Sequence, residues 1–268
     1  MHVLQAAVAA NPWPLRRERA AELAERHPHA AEMLRLYQAL TVVQEAAAYR
    51  LPSPQDIASF AVGHVIPGVI DVTVELGPRA LRDGVVEVYA SANLEELIQR
   101  WLVAEPLNPF ETYLARASAS PLLEALSPHP DPPPQGGREF EIEVSRTHCP
   151  NCGGLPQLSY FAVSGEALVS GPRYLVCSRC ATNWIFPRMT CAACGEAAGT
   201  KLPIFQEQER FPHARVDGCQ TCQKYLLTFD LRRDTRAVPV VDEIAALPLD
   251  LYAKDQGLTK IAPNLMGN

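Results

Sequence analysis

The spacing of apolar residues predicts that the first half of the chain is helical. Residues 15–50 are rich in Ala, Leu, Glu and Arg, which all favour helices. Leu23, Leu34 and Tyr37 belong to an apolar series that recurs at roughly helical spacing, with Arg and Glu between its members. Pro28 predicts the start of a second helix, because proline is tolerated in a first turn.

Further helix starts are marked by capping residues. Ser53–Pro54 predicts one, since serine can cap a helix and proline fits the first helical position. Asn93 followed by Glu96 is a variant capping box and predicts another. Short helices are expected over 109–117 and 121–126.

The pattern changes after residue 126. Residues 127–137 read SPHPDPPPQGG, which offers no apolar face and favours an extended linker. We expect a final amphipathic helix from Val241 towards Tyr252, interrupted near Pro248, and then an irregular tail. Strands are expected in four β-prone runs, namely Glu139–Val144, Arg173–Val176, Trp184–Phe186 and Tyr225–Phe229.

The composition and charge of the chain limit the classes of protein to which it can belong. The chain has 268 residues, 47% of them hydrophobic, enough for one large domain or two ordinary ones. Its net charge is −6, and residues 138–230 carry nine basic and nine acidic side chains. Nucleic-acid-binding zinc modules are commonly basic, because phosphate contacts supply most of their affinity. We therefore expect no nucleic-acid partner.

The chain shows no targeting signal that we recognise. Its first residues, MHVLQAAVAANPWP, lack a basic segment and a cleavage site. Apolar stretches are interrupted well before the roughly 18 residues that a membrane-spanning helix needs. A cytoplasmic location without membrane insertion is the expectation, and in that compartment paired cysteines more often bind metal than form disulfides.

Eight cysteines form four C-x-x-C pairs. Two intervening residues allow one tight turn to aim both thiolates at one ion, and two such turns complete a tetrahedral shell. The first two pairs recur further along the chain at one constant interval. Gly153 and Gly195 follow the first turn of each copy, where a residue with positive φ is commonly needed to finish the turn. The period indicates an internal duplication and favours two four-cysteine sites. The predicted ligands are Cys149, Cys152, Cys177 and Cys180 in one site, and their respective counterparts Cys191, Cys194, Cys219 and Cys222 in the other.

Other arrangements stay open at this point. The second and third pairs could meet instead, which would ignore the repeat. A C-x-x-C pair could also cycle between dithiol and disulfide, although no βαβ setting typical of thioredoxin-like proteins is visible. Zinc and iron both fit a four-thiolate shell, and a closed shell leaves no open position for substrate. We therefore predict two metal ions, iron or zinc, and no catalytic residues.

Several nearby side chains are weaker candidates. His148 and His213 are expected to be surface or supporting histidines rather than ligands. Trp184 and Tyr225 follow their cysteine turns and are expected to pack on the sheet. Arg173 and Arg188, flanking the second pair, are expected to be solvated rather than to form a binding surface.

The cysteine-rich half resembles the formate dehydrogenase accessory protein family, FdhE. The closing VDEIAALPLD over Val241–Asp250 is similar to the acidic helix that ends family members. The other matching segments are CPNCGGLP from Cys149, RYLVCSRCATNW from Arg173, RMTCAACG from Arg188 and CQTCQKYL from Cys219. The resemblance implies an α+β chain in which a helical domain precedes two rubredoxin-like metal ribbons, with iron as the metal.

With that resemblance, the expected domains are a helical domain over 1–126, a linker over 127–137, ribbons over 138–188 and 189–231, and a C-terminal helix and tail over 232–268. The resemblance implies a non-catalytic assembly factor that binds the catalytic subunit of a formate dehydrogenase during maturation. An iron-binding redox protein acting on client thiols or metal centres is the first alternative, and a nucleic-acid-binding zinc ribbon protein the second. The oligomeric state stays open, with a homodimer as one alternative.

Overall fold

The computed structural model describes residues 11–50, 52–127, 147–163 and 171–267. The chain separates into two compact units, a helical one before residue 130 and a β-rich one from there on. The predicted linker, except for its first residue, and the predicted strand Glu139–Val144 lie outside the described residues. The boundaries of the linker and of the first ribbon therefore stay predictions.

The helical unit confirms the helical pattern of the first half. A short 3₁₀ turn over Pro28–Ala30 leads into the second helix, where Pro28 predicted a start. Leu23, Leu34, Leu40 and Leu114 are fully buried. The helices are α1 (Trp13–Arg26), α2 (Ala31–Ala48), α3 (Ile57–His64), α4 (Ile66–Leu76), α5 (Arg79–Ser91), α6 (Leu94–Leu102) and α7 (Pro109–Leu126).

The helix caps agree only in part with the predictions made from the sequence. Asn93 accepts a hydrogen bond from the backbone N–H of Glu96 at 3.2 Å and so caps α6 as predicted. A 3₁₀ turn does begin at Pro54, but the Ser53 hydroxyl donates to the Asp56 carboxylate instead of capping the backbone. A full capping box opens α7. The side chain of Asn108 accepts a hydrogen bond from the backbone N–H of Glu111, and the side chain of Glu111 accepts one from the backbone N–H of Asn108.

The prediction of two short helices over 109–117 and 121–126 is wrong, because α7 runs unbroken through Pro121. Proline lacks the N–H that would bond the carbonyl of Ala117, one helical turn earlier. Gln44 on α2 supplies the missing donor, with its side-chain N–H group 2.9 Å from that carbonyl oxygen. This hydrogen bond between α2 and α7 thus offsets part of the free energy that Pro121 costs the helix.

Among the described residues, no single helix combines the length and the apolar character needed to cross a membrane. The segments Pro54–His64 and Ile66–Leu76 reach that length and composition only as a pair bent by 45°.

Over the described residues, the β-rich unit is built on a seven-stranded sheet. Its main path has the order β3-β2-β1-β6-β5-β4, and β7 pairs with β6. The expected strands at 173, 184 and 225 are confirmed. The strands are β1 (Pro156–Phe161), β2 (Arg173–Cys177), β3 (Asn183–Phe186), β4 (Ile204–Phe205), β5 (Ala214–Cys219), β6 (Lys224–Asp230) and β7 (Thr259–Lys260).

Each repeat contributes a three-stranded antiparallel meander, β1–β2–β3 and then β4–β5–β6. The two meanders do not stand apart as separate ribbons, because β1 and β6 pair in parallel, with Leu158 opposite Leu227. Both leucines are fully buried in the core of this unit. The two repeats therefore share a continuous sheet and a common core.

Two helices pack on this sheet, α8 (Pro239–Ala245) and α9 (Leu247–Asp255). The predicted interruption near Pro248 is confirmed, because α8 ends at Ala245 and α9 begins at Leu247. The tail is not irregular throughout, because Thr259–Lys260 adds β7 to the sheet in parallel with β6. Leu249 and Ala253 of α9 join Val216 and Phe229 in the core.

Candidate metal centres

The first cluster gathers the four cysteines of the first repeat. Cys149 and Cys152 lie in the turn before β1, Cys177 ends β2, and Cys180 lies in the turn that leads to β3. The Sγ atoms of Cys149 and Cys180 are 3.7 Å apart, and those of Cys152 and Cys177 are 3.4 Å apart. All four sulfurs lie within 4.8 Å of one another.

The second cluster repeats this arrangement with the four cysteines of the second repeat. Cys219 ends β5 and Cys222 lies in the turn before β6. The Sγ atoms of Cys191 and Cys222 are 3.7 Å apart, as are those of Cys194 and Cys219. The structure thus groups the pairs as the repeat predicts, first with second and third with fourth.

These spacings suit a four-coordinate metal ion. A metal–sulfur bond of about 2.3 Å implies neighbouring sulfurs about 3.8 Å apart in a tetrahedron. The observed 3.4–3.7 Å separations are close to that edge. A disulfide would need about 2.05 Å, and all eight cysteines have free thiols. The donor set, four sulfurs without a water or carboxylate, fits zinc or iron.

The first turn of each cluster has the same backbone geometry. Gly153 and Gly195 have φ of +70° and +77°, a conformation that favours glycine, as their positions predicted. Their N–H groups donate to the carbonyls of Cys149 and Cys191, each at 3.0 Å. The duplication is therefore visible in the backbone as well as in the cysteine spacing.

The second turns share a feature that the sequence did not reveal. Ala181 and Gln223, which occupy equivalent positions in the two repeats, have φ of +54° and +55°. Neither is a glycine, so no local signal marks them, although their equivalence under the repeat could have been noticed. Residues after Cys180 and Cys222 thus take a left-handed conformation that turns the chain into the next strand.

Gly154 is required by a close approach to the first cluster. A Cβ at this position would lie 2.9 Å from the Sγ of Cys177 and 3.0 Å from the side chain of Arg179. The sequence shows a Gly–Gly pair here, but only the structure shows that the second glycine makes room for a sulfur. Any larger residue would displace the Cys177 thiol.

The sulfurs of the first cluster do not ionise independently. Hydrogen bonds from the Cys152 and Cys177 thiols lower the pKa of Cys149 to about 6. The same contacts raise the pKa of Cys152 and of Cys177 above the usual range. Hydrogen bonds from the other three cysteines also lower the pKa of Cys180. Two sulfurs are thus stabilised as thiolates beside two that stay protonated, and a cation would be needed to hold all four as thiolates.

The two clusters differ in exposure. In the first, three of the cysteines are buried and Cys152 is half-buried. In the second, Cys194 is exposed and Cys222 is half-buried. Burial raises the pKa of Cys191 in that cluster. The second cluster is therefore the more accessible to solvent and to small reagents.

The two histidines take no place among the sulfurs. His148 is exposed and lies beside Thr147. His213 is buried, with Nε2 2.9 Å from Oδ1 of Asp242 at the start of α8. Asp234 brings a third ligand-type atom near this pair. His213 is therefore not a surface histidine, and its partner is a carboxylate rather than a cysteine.

The aromatic residues pack on the sheet as expected. Trp184 and Tyr225 are both buried. Tyr225 does more than pack, because its hydroxyl donates to Asp250 Oδ1 at 2.9 Å. That carboxylate also binds the ammonium of Lys260, so the tyrosine belongs to a buried polar network.

The expectation of a solvated Arg173 is wrong. Its side chain is 2% exposed, and its Nε donates to Ser159 at 3.0 Å. One terminal nitrogen is 3.2 Å from Asp217, and the other donates to the carbonyl of Thr190 at 3.0 Å. Arg173 therefore ties the segment that precedes the second cluster to the strands of both repeats, a role that a side chain with five N–H donors can fill.

Two family models match the cysteine-rich part of the chain. Residues 148–188 match the family model described as FdhE, central domain. Residues 189–266 match the model described as FdhE, C-terminal domain. The boundary between the two models falls between the two clusters. The cysteine-bearing part of the chain, residues 148–266, belongs to the FdhE family.

Relatives from two bacteria support this assignment. A protein named Protein FdhE homolog from Aquifex aeolicus is 35% identical over 122 residues, which is 46% of this chain and 42% of that relative. One of the same name from Pseudomonas aeruginosa is 35% identical over 133 residues, which is 48% of this chain and 42% of that relative. The matched part thus spans less than half the length of these relatives.

The similarity of fold extends further than the sequence match. The crystal structure of the FdhE protein from Pseudomonas aeruginosa superposes with a TM-score of 0.66 at 24% identity. The superposition covers 95% of this chain and 95% of that one. The fold expectation, a helical part followed by a cysteine-bearing sheet, is confirmed.

Proposed function

We propose that this chain is an assembly factor for a formate dehydrogenase and that it binds the catalytic subunit during maturation. The observation that supports this most strongly is the match of residues 148–266 to both FdhE domain models, with all eight cysteines inside the matched range. The proposed role is non-catalytic and cytoplasmic, with two ribbons over 138–188 and 189–231 as a scaffold.

We propose further that each cluster holds one metal ion and that the ion is structural. The four sulfurs of each cluster come from two turns that lie apart in the sequence, so a shared ion would fix one turn against the other. Metal binding to such shells supplies on the order of 10 kcal/mol of folding free energy. The closed shell leaves no open coordination position, so the ligands would hold the turns rather than bind a substrate.

Genetic complementation tests the proposed role. Deleting the gene should abolish formate dehydrogenase activity, and the wild-type chain supplied on a plasmid should restore it. Cys177→Ser combined with Cys180→Ser should fail to restore activity, whereas Ser178→Ala in the same turn should restore it. Undiminished activity in the deletion strain would refute the proposal.

Physical association is tested separately. The metal-loaded chain, immobilised through a tag, should retain the catalytic subunit from an extract made during expression of the dehydrogenase. The double cysteine variant should retain less of it. A deletion phenotype without any detectable association would support a role in maturation but contradict direct binding of the catalytic subunit.

A redox role is the second candidate, and the exposure of Cys194 in the second cluster favours it. An iron ion there would be near solvent, where an electron-transfer partner could approach. A chain loaded with two zinc ions offers the deciding test, because zinc has no redox chemistry. Full activation of the dehydrogenase by that chain would exclude the redox role, and activation by the iron form alone would support it.

A further inference from the structure

Three guanidinium groups surround one aromatic ring at the end of β1. The Cζ atoms of Arg188, Arg215 and Arg232 lie 4.8, 5.0 and 5.6 Å from the ring centroid of Phe161. The phenylalanine is only 5% exposed. Cation–π attraction favours each contact, but three like charges on one ring repel one another. The cluster therefore needs negative charge from elsewhere.

Asp217 compensates only part of this charge. Its Oδ1 is 2.8 Å from Nε of Arg215, and its Oδ2 is 3.2 Å from the buried Arg173. Thr228 also donates to Oδ2, at 2.7 Å. One carboxylate thus serves two guanidinium groups, which leaves a charge of +1.

Asp230 is shared in the same way. It binds Arg232 at 2.6 Å and lies 4.0 Å from Arg233. The hydrogen bond from Arg232 holds the pKa of Asp230 below its usual range, so this carboxylate stays ionised at neutral pH. Arg188 donates to the carbonyl of Gly171, and no described carboxylate forms an ion pair with it. Five arginines and two aspartates therefore leave a charge of +3 in this cluster, and the carboxylates of Asp234 and Asp242 beside His213 reduce it to +1 around the cleft.

A small polar cleft opens beside this cluster. Its volume is about 40 Å³, and Phe161, Arg215, Arg233, His213, Thr228 and Asp230 are among the residues that line it. On the same measure one water molecule needs about 10–15 Å³. The cleft is therefore large enough for a compact group with several oxygen atoms and too small for a bulky organic molecule.

We propose that this cleft is a binding site for a phosphate-type oxyanion. Arg215 and Arg233 in the lining and the remaining charge of +1 supply the attraction, and the planar guanidinium groups match the oxygens of such an anion in paired hydrogen bonds. Asp230 lines the cleft but is already neutralised by Arg232, so it does not cancel the excess. The anion can be free inorganic phosphate or the phosphoryl group of a larger molecule that reaches the cleft from solvent.

Calorimetric titration of the metal-loaded full chain with inorganic phosphate in dilute chloride buffer tests this proposal. We expect one phosphate per chain. Arg215→Gln and Arg233→Gln, which change the two arginines of the lining, should each weaken binding about tenfold, since hydrogen bonds to charged groups are the stronger ones. Arg79→Gln on the exposed face of α5 removes the same charge from the helical unit and should bind phosphate like the wild type.

The outcomes separate the proposal from non-specific attraction. Absence of binding at millimolar phosphate would overturn it, as would equal weakening by Arg79→Gln. Because Arg233 is exposed and its one described side-chain hydrogen bond goes to the carbonyl of Pro212, its variant should keep the wild-type melting temperature and remain informative. Equal affinity for glycerol phosphate would identify the phosphoryl group of a larger molecule as an admissible ligand, and binding of inorganic phosphate alone would identify the free ion.

Discussion

Replacing Lys260 with methionine should destabilise the β-rich unit more than the loss of any surface charge. The Lys260 ammonium lies 2.7 Å from Glu243 and 2.9 Å from Asp250, and all three side chains are 3% exposed or less. Gln157 and Tyr225 donate to the same two carboxylates. The network joins α8 and α9 to β1, β6 and β7, so it links the C-terminal segment to both repeats.

The expected loss follows from the burial of both carboxylates. Removing one partner from a buried ion pair leaves an uncompensated charge, which costs about 3–5 kcal/mol. Lys254→Met is the matched control, because Lys254 is exposed on α9 and the change should stay within about 0.5 kcal/mol. Urea unfolding followed by Trp184 fluorescence, with Trp13 and Trp101 replaced by phenylalanine in every variant, reports on this unit alone.

The pH dependence provides an independent check of the cause. Burial raises the pKa of Glu243 in the folded chain, while the charge of Lys260 opposes that rise. A carboxyl whose folded pKa is raised favours folding below its unfolded pKa, and that contribution is lost as pH rises through the folded pKa. Without Lys260 the folded pKa should rise further. The difference in stability between the variant and the wild type should therefore shrink as pH falls from 8 towards the ordinary range of a glutamate, about 4–5.

A loss below about 1 kcal/mol at pH 8 would refute this reasoning. A loss of the full size that did not change with pH would show that packing around the lysine stem, rather than buried charge, is responsible.

Three further predictions concern single contacts. Gln44→Ala should cost the helical unit about 1–3 kcal/mol, because the Ala117 carbonyl beside Pro121 loses its donor; an unchanged urea midpoint would contradict this. Asn108→Ala should cost about 0.5–2 kcal/mol through loss of the α7 cap, and circular dichroism melting should show it. Gly154→Ala should displace the Cys177 thiol, so that elemental analysis finds the metal content falling from two ions towards one; two retained ions would contradict the close approach.

The cysteine clusters were predictable because their signal is local and periodic. The first turn of each cluster is specified by two cysteines and the glycine that follows them, and the constant interval between the two copies selects the pairing. The strands that carry Cys177 and adjoin Cys222 were predicted for the same reason, since β-prone residues lie next to these cysteines. The glycines at 153 and 195 were expected to have positive φ, and they do.

The joining of the two repeats could not be predicted in this way. The parallel pairing of β1 with β6 connects Leu158 to Leu227, which lie at opposite ends of the duplicated segment. The sequence of neither strand shows whether the two repeats form one shared sheet or two separate ribbons. Pairing of strands distant in sequence depends on the packing of the whole unit, here with α9 on the common core.

Buried charges were missed for a related reason. Arg173 and Lys260 look like surface residues in the sequence, because a long charged side chain is seldom fully buried unless it is paired. Their partners, Asp217 and Glu243, belong to other elements of the fold, β5 and α8. The sequence therefore predicts which cysteines come together and leaves open how the surrounding polar side chains are paired.

We propose that each four-cysteine cluster holds one metal ion. Elemental analysis of the chain purified without oxygen, combined with its visible absorption spectrum, tests this claim directly. We expect two ions per chain, either zinc without colour or iron with thiolate charge-transfer bands, and one ion fewer when Cys177 and Cys180 are replaced by serine. A chain that is folded, retains all eight titratable thiols and contains less than one ion in total would contradict the account.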